Sequence, residues 1–170
     1  MRRLTVFPTP PGKNSLWYWP KAKSPWRVIY NFLLITLSRY MPSLRIKNFL
    51  LRCTGMKVGP HVAVGAQAVF DYFWPELITL EDNCIIGYNV TILAHEFLTS
   101  EYRIGPVVIG RNAVVAANTT VLAGTRIGAN SVVSAASLVN QDISDSVLAG
   151  GVPARVIRKR RTRADKQSAG

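Results

Sequence analysis

The chain has 170 residues, 48% of them hydrophobic and 18% charged, with a formal net charge of +12. That is one domain's worth of globular chain, long enough to bury a real core. Its two cysteines, Cys53 and Cys84, lack metal spacing and cannot make a disulfide framework, so they read as small buried residues in a reducing compartment.

The charge divides the chain in three. Residues 1–57 hold eleven Lys or Arg and no Asp or Glu, residues 58–152 hold three basic and eight acidic residues, and residues 153–170 hold seven basic and one acidic. The basic ends imply either anionic partners or simple solvation. The expected organisation is a basic N-terminal extension over 1–57, a β-helix over 58–152 and a basic tail over 153–170.

Residues 1–25 are rich in Pro, Lys and Trp and read as mostly irregular. No apolar stretch follows Arg2 and Arg3 before Pro8, so no signal peptide is expected. Pro25 to Arg39 reads as a helix, with Ser24 as N-cap and Pro25 at its first position. Its apolar run, Val28 to Leu37, is half of the ~20 residues a spanning helix needs. The expectation is a cytoplasmic protein without a transmembrane segment. Pro42 ends this helix, and Ser43 to Thr54 reads as a second. Ile46, Phe49, Leu50 and Cys53 fall three and four apart there, and Gly55 ends it. Arg45, Lys47 and Arg52 fill the remainder. This layout suits a cap over the open end of a solenoid. Peripheral contact with an anionic membrane is the second reading, and the two are compatible.

From Val58 the period becomes six. Apolar residues recur at Val58, Val64 and Phe70, then at Leu80, Ile86 and Ile92, then at Ile109, Val115, Val121, Ile127, Val133 and Val139. Neither an α-helix nor an alternating strand repeats at six. Six residues can supply one flat side and one corner, and three sides close a triangular coil. Each apolar residue then points inward and stacks on its equivalent one coil above, about 4.8 Å away. The twelve positions make about four coils of a parallel β-helix. The following residue is Gly at 59, 65, 87, 110 and 128, where a corner needing positive φ would favour it. Small residues stand four places after the apolar one at Ala113, Thr119, Thr125, Ser131 and Ser137.

Two insertions break the count, one around Asp71–Thr79 and a longer one from about Leu93 to Val108. Both follow the third side of a coil, so both should emerge at one corner, and loops thrown from a solenoid tend to bind ligands. The longer begins Ile92-Leu-Ala-His-Glu-Phe97. A near-neutral imidazole at His95 could take a proton from a hydroxyl. The other histidine, His61, lies inside a regular repeat and reads as structural.

The runs Pro106-Val-Val-Ile-Gly-Arg-Asn112, Thr120-Val-Leu-Ala-Gly-Thr-Arg-Ile-Gly128 and Leu148-Ala-Gly-Gly-Val-Pro-Ala-Arg-Val-Ile157 resemble the hexapeptide-repeat acyltransferases. The similarity is to their maltose, galactoside and polysaccharide O-acetyltransferase branch, over about residues 55–158. The resemblance implies a left-handed β-helix, acetyl-CoA as donor, a sugar or glycan acceptor, no metal, and a homotrimer with its sites between subunits. By the same resemblance His95 matches the general base and Asn89 an acceptor-positioning residue. Ala116, Ala117, Ser134 and Ala135 match the small residues lining a pantetheine groove. Arg155, Arg158 and Lys159 are placed to meet the phosphates of CoA, or else belong to a solvated tail. Asp71 and Tyr72 are weaker candidates for acceptor contact. Val114 stands where the family often has Trp. Glu96, next to His95 on an extended segment, is expected to face water.

Three other readings compete. A γ-type carbonic anhydrase shares the fold but needs three zinc-binding histidines, and the chain has two. A non-catalytic β-helix scaffold leaves the loop histidine unexplained. A nucleic-acid binder lacks any recognisable module or interleaving of aromatic with basic residues.

Overall fold

The computed structural model of the protein describes residues 2–160. Three parallel faces wrap one apolar core. The first holds strands Lys57–Val58, Ile78–Leu80, Val107–Ile109 and Arg126–Ile127. The second holds Ala63–Val64, Ile85–Ile86, Val114–Val115, Val132–Val133 and Val147–Gly151, and the third Val69–Phe70, Thr91–Ile92, Thr120–Val121 and Leu138–Val139.

The register follows the six-residue spacing. Val58, Leu80, Ile109 and Ile127 are successive partners on the first face, continued by Ile143. Val64, Ile86, Val115, Val133 and Ala149 align on the second, and Phe70, Ile92, Val121 and Val139 on the third. All are buried. β-branched side chains predominate because they pack tightly on neighbours one coil away.

The glycines serve a different purpose from the one expected. The left-handed backbone positions lie two residues later, at His61, Asn83, Asn112, Asn130 and Ser146 on one corner and at Gln67, Asn89, Asn118 and Ala136 on the next. Asn tolerates this region because its short side chain bonds locally, and here Asn83 donates to Asn112, and Asn112 to Asn130, up the corner. Gly87 and Gly110 instead have no room for a side chain. A Cβ would come within 2.8 Å of the Ala117 nitrogen at Gly87, and within 2.7 Å of the Ala129 nitrogen at Gly110.

Successive coils bond in both directions: Ala63 donates forward to Cys84 and Ile85 to Ala113, while Asn83 donates back to Pro60 and Asn89 to Ala66. The first coil has no coil before it, so the carbonyls it points that way need donors from elsewhere. Helix α3, Leu44–Cys53, covers them, and its inward face is polar. Lys47 Nζ donates to the Val64 and Gly65 carbonyls at 3.0 Å, Asn48 to Val62 at 2.8 Å, and Arg52 to Val58 and Gly59 at 2.9 and 3.0 Å. The helix is preceded by α1 (Trp19–Ala22) and α2 (Pro25–Tyr40). Ser43 caps α3 through the Ile46 N–H, and Gly55 follows it at φ +95°. Ser24 precedes α2 without making a side-chain cap bond.

Residues before α2 are more ordered than their composition implied. Thr5–Pro8 is a strand, antiparallel to Glu101–Ile104, which pairs in turn with His95–Phe97. The longer insertion is thus a hairpin extended by the N-terminal arm. A second correction concerns the stretch from residue 153: Ala154–Lys159 folds back as an antiparallel strand on Val147–Gly151 rather than trailing as a tail. Residues 161–170 of that expected tail lie outside the described residues. No helix among the described residues is long and apolar enough to cross a membrane.

Replacing Lys47 by Met leaves two buried carbonyls without a donor, and each unsatisfied group costs about 1–3 kcal/mol. The variant should melt several degrees below the parent with its strand content intact by circular dichroism; an equal melting temperature would contradict the capping role.

Candidate active site

Both insertions leave the coil at the third corner, and there Asp71 meets His95. The Asp71 side chain is fully buried, and its Oδ2 bonds His95 Nδ1. The same oxygen accepts the Ala94 N–H at 2.7 Å, while Oδ1 accepts the N–H groups of Phe73 and Trp74 at 2.8 and 3.0 Å. Each insertion therefore closes on the same carboxylate. Burial pushes the Asp71 pKa up, but the His95 bond and charge and the Trp74 and Ala94 N–H groups outweigh it, and the net shift is downward. A carboxylate held ionised against Nδ1 keeps the proton of a neutral imidazole on that nitrogen. Nε2 is left with its lone pair free to accept a proton.

The imidazole is set in aromatic rings. Phe73 and Phe97 lie 4.9 Å from it and Trp74 5.2 Å, measured between centroids. Phe7, on the N-terminal strand, stacks on Tyr102 at 4.9 Å. Arg2 forms an ion pair with Glu96. Glu96 thus turns to the N-terminal arm rather than to water as expected, because the arm lays a cation across it. Arg3 donates its N–H to the Gly124 carbonyl at 2.9 Å, and its backbone passes where side chains on Gly105 and Gly124 would stand. The sequence reading missed the arm and the rings. The readable signals were the aromatic run Tyr72-Phe-Trp74 and the opposite charges of Arg2 and Glu96.

The other expected site residues fall elsewhere. Asp71 is too deeply buried to touch an acceptor, which corrects that expectation; it holds the imidazole instead. Tyr72 is 37% exposed and, with Trp17, Trp19 and Phe73, lines a cavity of about 700 Å³. Asn31 of α2 fixes this segment by donating to the Tyr72 carbonyl at 3.0 Å. Asn89 sits at the second corner, where it donates to Asn118 at 3.0 Å. Ala116, Ala117, Ser134 and Ala135 follow Val115 and Val133 onto that same second corner. Side chains there are short and partly or fully exposed. Arg155, Arg158 and Lys159 are exposed on the last strand. Val114 faces outward, between Ile85 and Val132. Within one chain, the histidine corner and the small-residue corner are thus two different edges of the prism. Cys84 is fully buried, and burial pushes its thiol up to about 12, so it is no nucleophile.

No protein-family model matches the chain. It is 45% identical over 147 residues to YvoF of Bacillus subtilis, a protein named as an acetyltransferase, covering 86% of each chain. Among solved structures it is similar to the hexapeptide-repeat-containing acetyltransferase VCA0836 of Vibrio cholerae complexed with acetyl coenzyme A. The TM-score is 0.69 at 22% identity, over 81% of this chain and 88% of that one. A galactoside acetyltransferase in complex with coenzyme A gives a TM-score of 0.66 at 26% identity, over 82% and 83% of the two chains. The shared fold is the left-handed parallel β-helix.

Because the folded-state pKa of Asp71 is lowered, its contribution to stability is present above its unfolded value of about 3.9 and fades as pH falls through the folded value. The stability gap between the parent and an Asp71→Asn variant, from denaturant melts, should shrink as pH falls below about 4. A gap that stayed constant or grew over that acidic range would contradict this electrostatic picture.

Proposed function

We propose that this chain, which belongs to the hexapeptide-repeat acetyltransferases, transfers the acetyl group of acetyl-CoA to a hydroxyl of a sugar or glycan, with His95 as general base. The observation that carries this reading is the Asp71–His95 contact. It fixes one imidazole nitrogen and frees the other, as hydroxyl activation requires. His95 Nε2 takes the hydroxyl proton as the oxygen attacks the thioester carbonyl carbon. The tetrahedral intermediate places negative charge on the former carbonyl oxygen, which calls for a nearby donor. The intermediate collapses with cleavage of the C–S bond, and the departing CoA sulfur recovers the proton from His95.

The neighbours in complex with coenzyme A and acetyl coenzyme A support the donor. The second corner offers what a thin pantetheine arm needs: Ala116, Ala117, Ser134 and Ala135 leave a shallow track along the coil axis. Arg155, Arg158 and Lys159 on the adjoining strand supply charge for phosphates. This track and His95 lie on different edges of one chain, so a complete site joins the histidine edge of one subunit to the small-residue edge of the next. The outward apolar residues of the second face, Ile85, Val114, Val132 and Leu148, give such a homotrimer a surface to bury. Asn89, on the small-residue edge, then stands across from the neighbouring subunit's imidazole and helps position the acceptor. A sugar acceptor is supported by the aromatic faces of Tyr72, Trp17 and Trp19 around the cavity beside Phe73.

Substituting His95 by Ala should lower thiol release from acetyl-CoA about 10²–10⁴-fold with a competent sugar acceptor, with acetyl-CoA affinity unchanged. Undiminished turnover would leave a non-catalytic scaffold as the better reading. Replacing Arg155, Arg158 and Lys159 together by Ala should raise KM for acetyl-CoA about tenfold or more and leave kcat near the parent value; an unchanged KM would remove them from the donor site.

A further inference from the structure

Helices α2 and α3 are built inside out. The side chains α2 buries are Val28, Asn31, Ile35 and Ser38, half of them polar, and α3 buries Lys47, Asn48 and Leu51. Outward, Trp26, Ile29, Tyr30, Leu33, Leu37 and Tyr40 follow helical spacing down one side of α2, each 43–81% exposed. Leu44, Ile46 and Phe49 of α3 are 47–63% exposed. The cause on α3 is plain: its cationic and amide side chains are committed to the carbonyl row of the first coil, so its apolar side can only face out. Exposed large apolar side chains gathered on one side of a helix pair, rather than scattered singly, are the mark of an interaction surface.

We propose that this outer face of the α2–α3 hairpin docks on the surface of an anionic phospholipid bilayer. Charge selects that occupant. Residues 1–57 carry eleven basic residues and no carboxylate. Lys47 and Arg52 are used in the cap and Lys23 pairs with Glu76; Lys13, Lys21, Arg27 and Arg45 remain exposed around the apolar face. A second copy docked through the same face would bring these like charges together. Acidic headgroups above hydrocarbon satisfy both parts of the surface at once. The cations also lie against the rings, Lys13 at 5.3 Å from the Trp17 centroid and Arg27 at 5.4 Å from that of Tyr30. Basic groups reaching outward beside Trp and Tyr are the arrangement of a membrane–water interface. The hairpin is too short to span, so the contact is peripheral. The cavity that Phe73 shares with Trp17 and Val28 adjoins the same hairpin, which would present the active corner to acceptors carried by the bilayer. The docking itself does not rest on acetyl transfer.

The full chain is mixed with phosphatidylcholine vesicles containing ~30 mol% phosphatidylglycerol or none, at physiological ionic strength, and pelleted. Partitioning should be about tenfold stronger with phosphatidylglycerol and should weaken as salt is raised. The variant Trp26→Glu, Leu33→Glu, Phe49→Glu should lose about tenfold or more of that binding, while keeping its melting temperature and its turnover of acetyl-CoA with a soluble sugar. Three results would overturn the proposal: parent protein remaining in the supernatant with anionic vesicles, a variant that pellets as well as the parent, or a parent assembly that the same substitutions split in vesicle-free solution. The last would assign the face to a second copy. A chain inactive in acetyl transfer that still binds vesicles would leave this proposal standing and refute only the catalytic one.

Discussion

Each coil bonds its backbone to the coils on either side, and the first coil has a neighbour on one side only. Ala63 gives its N–H forward to Cys84, while Asn83 gives its N–H back to Pro60. The carbonyls of Val58, Gly59, Val62, Val64 and Gly65 have no preceding coil to meet them and take their donors from a helix instead. A buried carbonyl without a donor is costly, so the covering element must bring donors. Helix α3 brings Lys47, Asn48 and Arg52. Its apolar side is thereby turned outward, and the surface character of α3 follows from a requirement inside the β-helix.

The same regularity decides where chemistry can sit. Two corners are fixed by left-handed Asn, Gln, His, Ser and Ala residues, each turning the chain in the same three-residue step. Both insertions come out of the third corner instead, one coil apart. Asp71 opens one and His95 the other, so the side-chain contact between them is also the tie that holds the two loops together. The N-terminal arm closes over them from outside through Arg2, Phe7 and the backbone of Arg3. The geometry of this corner rests on loops, but on loops pinned to a rigid edge and to each other.

Much of this is legible in the sequence because the fold is periodic. The residues at six-residue spacing are the buried partners of adjacent coils, and the family resemblance to acetyltransferases is matched by the relatives. What escaped the sequence is what the period does not govern. The role of Gly87 and Gly110 depends on the distance to the next coil rather than on their own backbone angle. Asp71 looked like a loop carboxylate, and only the folded chain carries it across twenty-four residues to His95. Glu96 sits on an extended segment whose alternation argued for water, but alternation says nothing of an arm arriving from Arg2. The strand Thr5–Pro8 has no partner near it in the chain, so nothing local marks it.

The base role proposed for His95 requires Asp71 to hold the imidazole with its proton on Nδ1. Nitrogen-15 NMR of the histidine side chains reads this directly. Neutral His95 should show a protonated Nδ1 and an unprotonated Nε2, with the Nδ1 proton shifted far downfield by its bond to the carboxylate. A neutral His95 carrying its proton on Nε2 would leave no base facing the acceptor and would contradict the account.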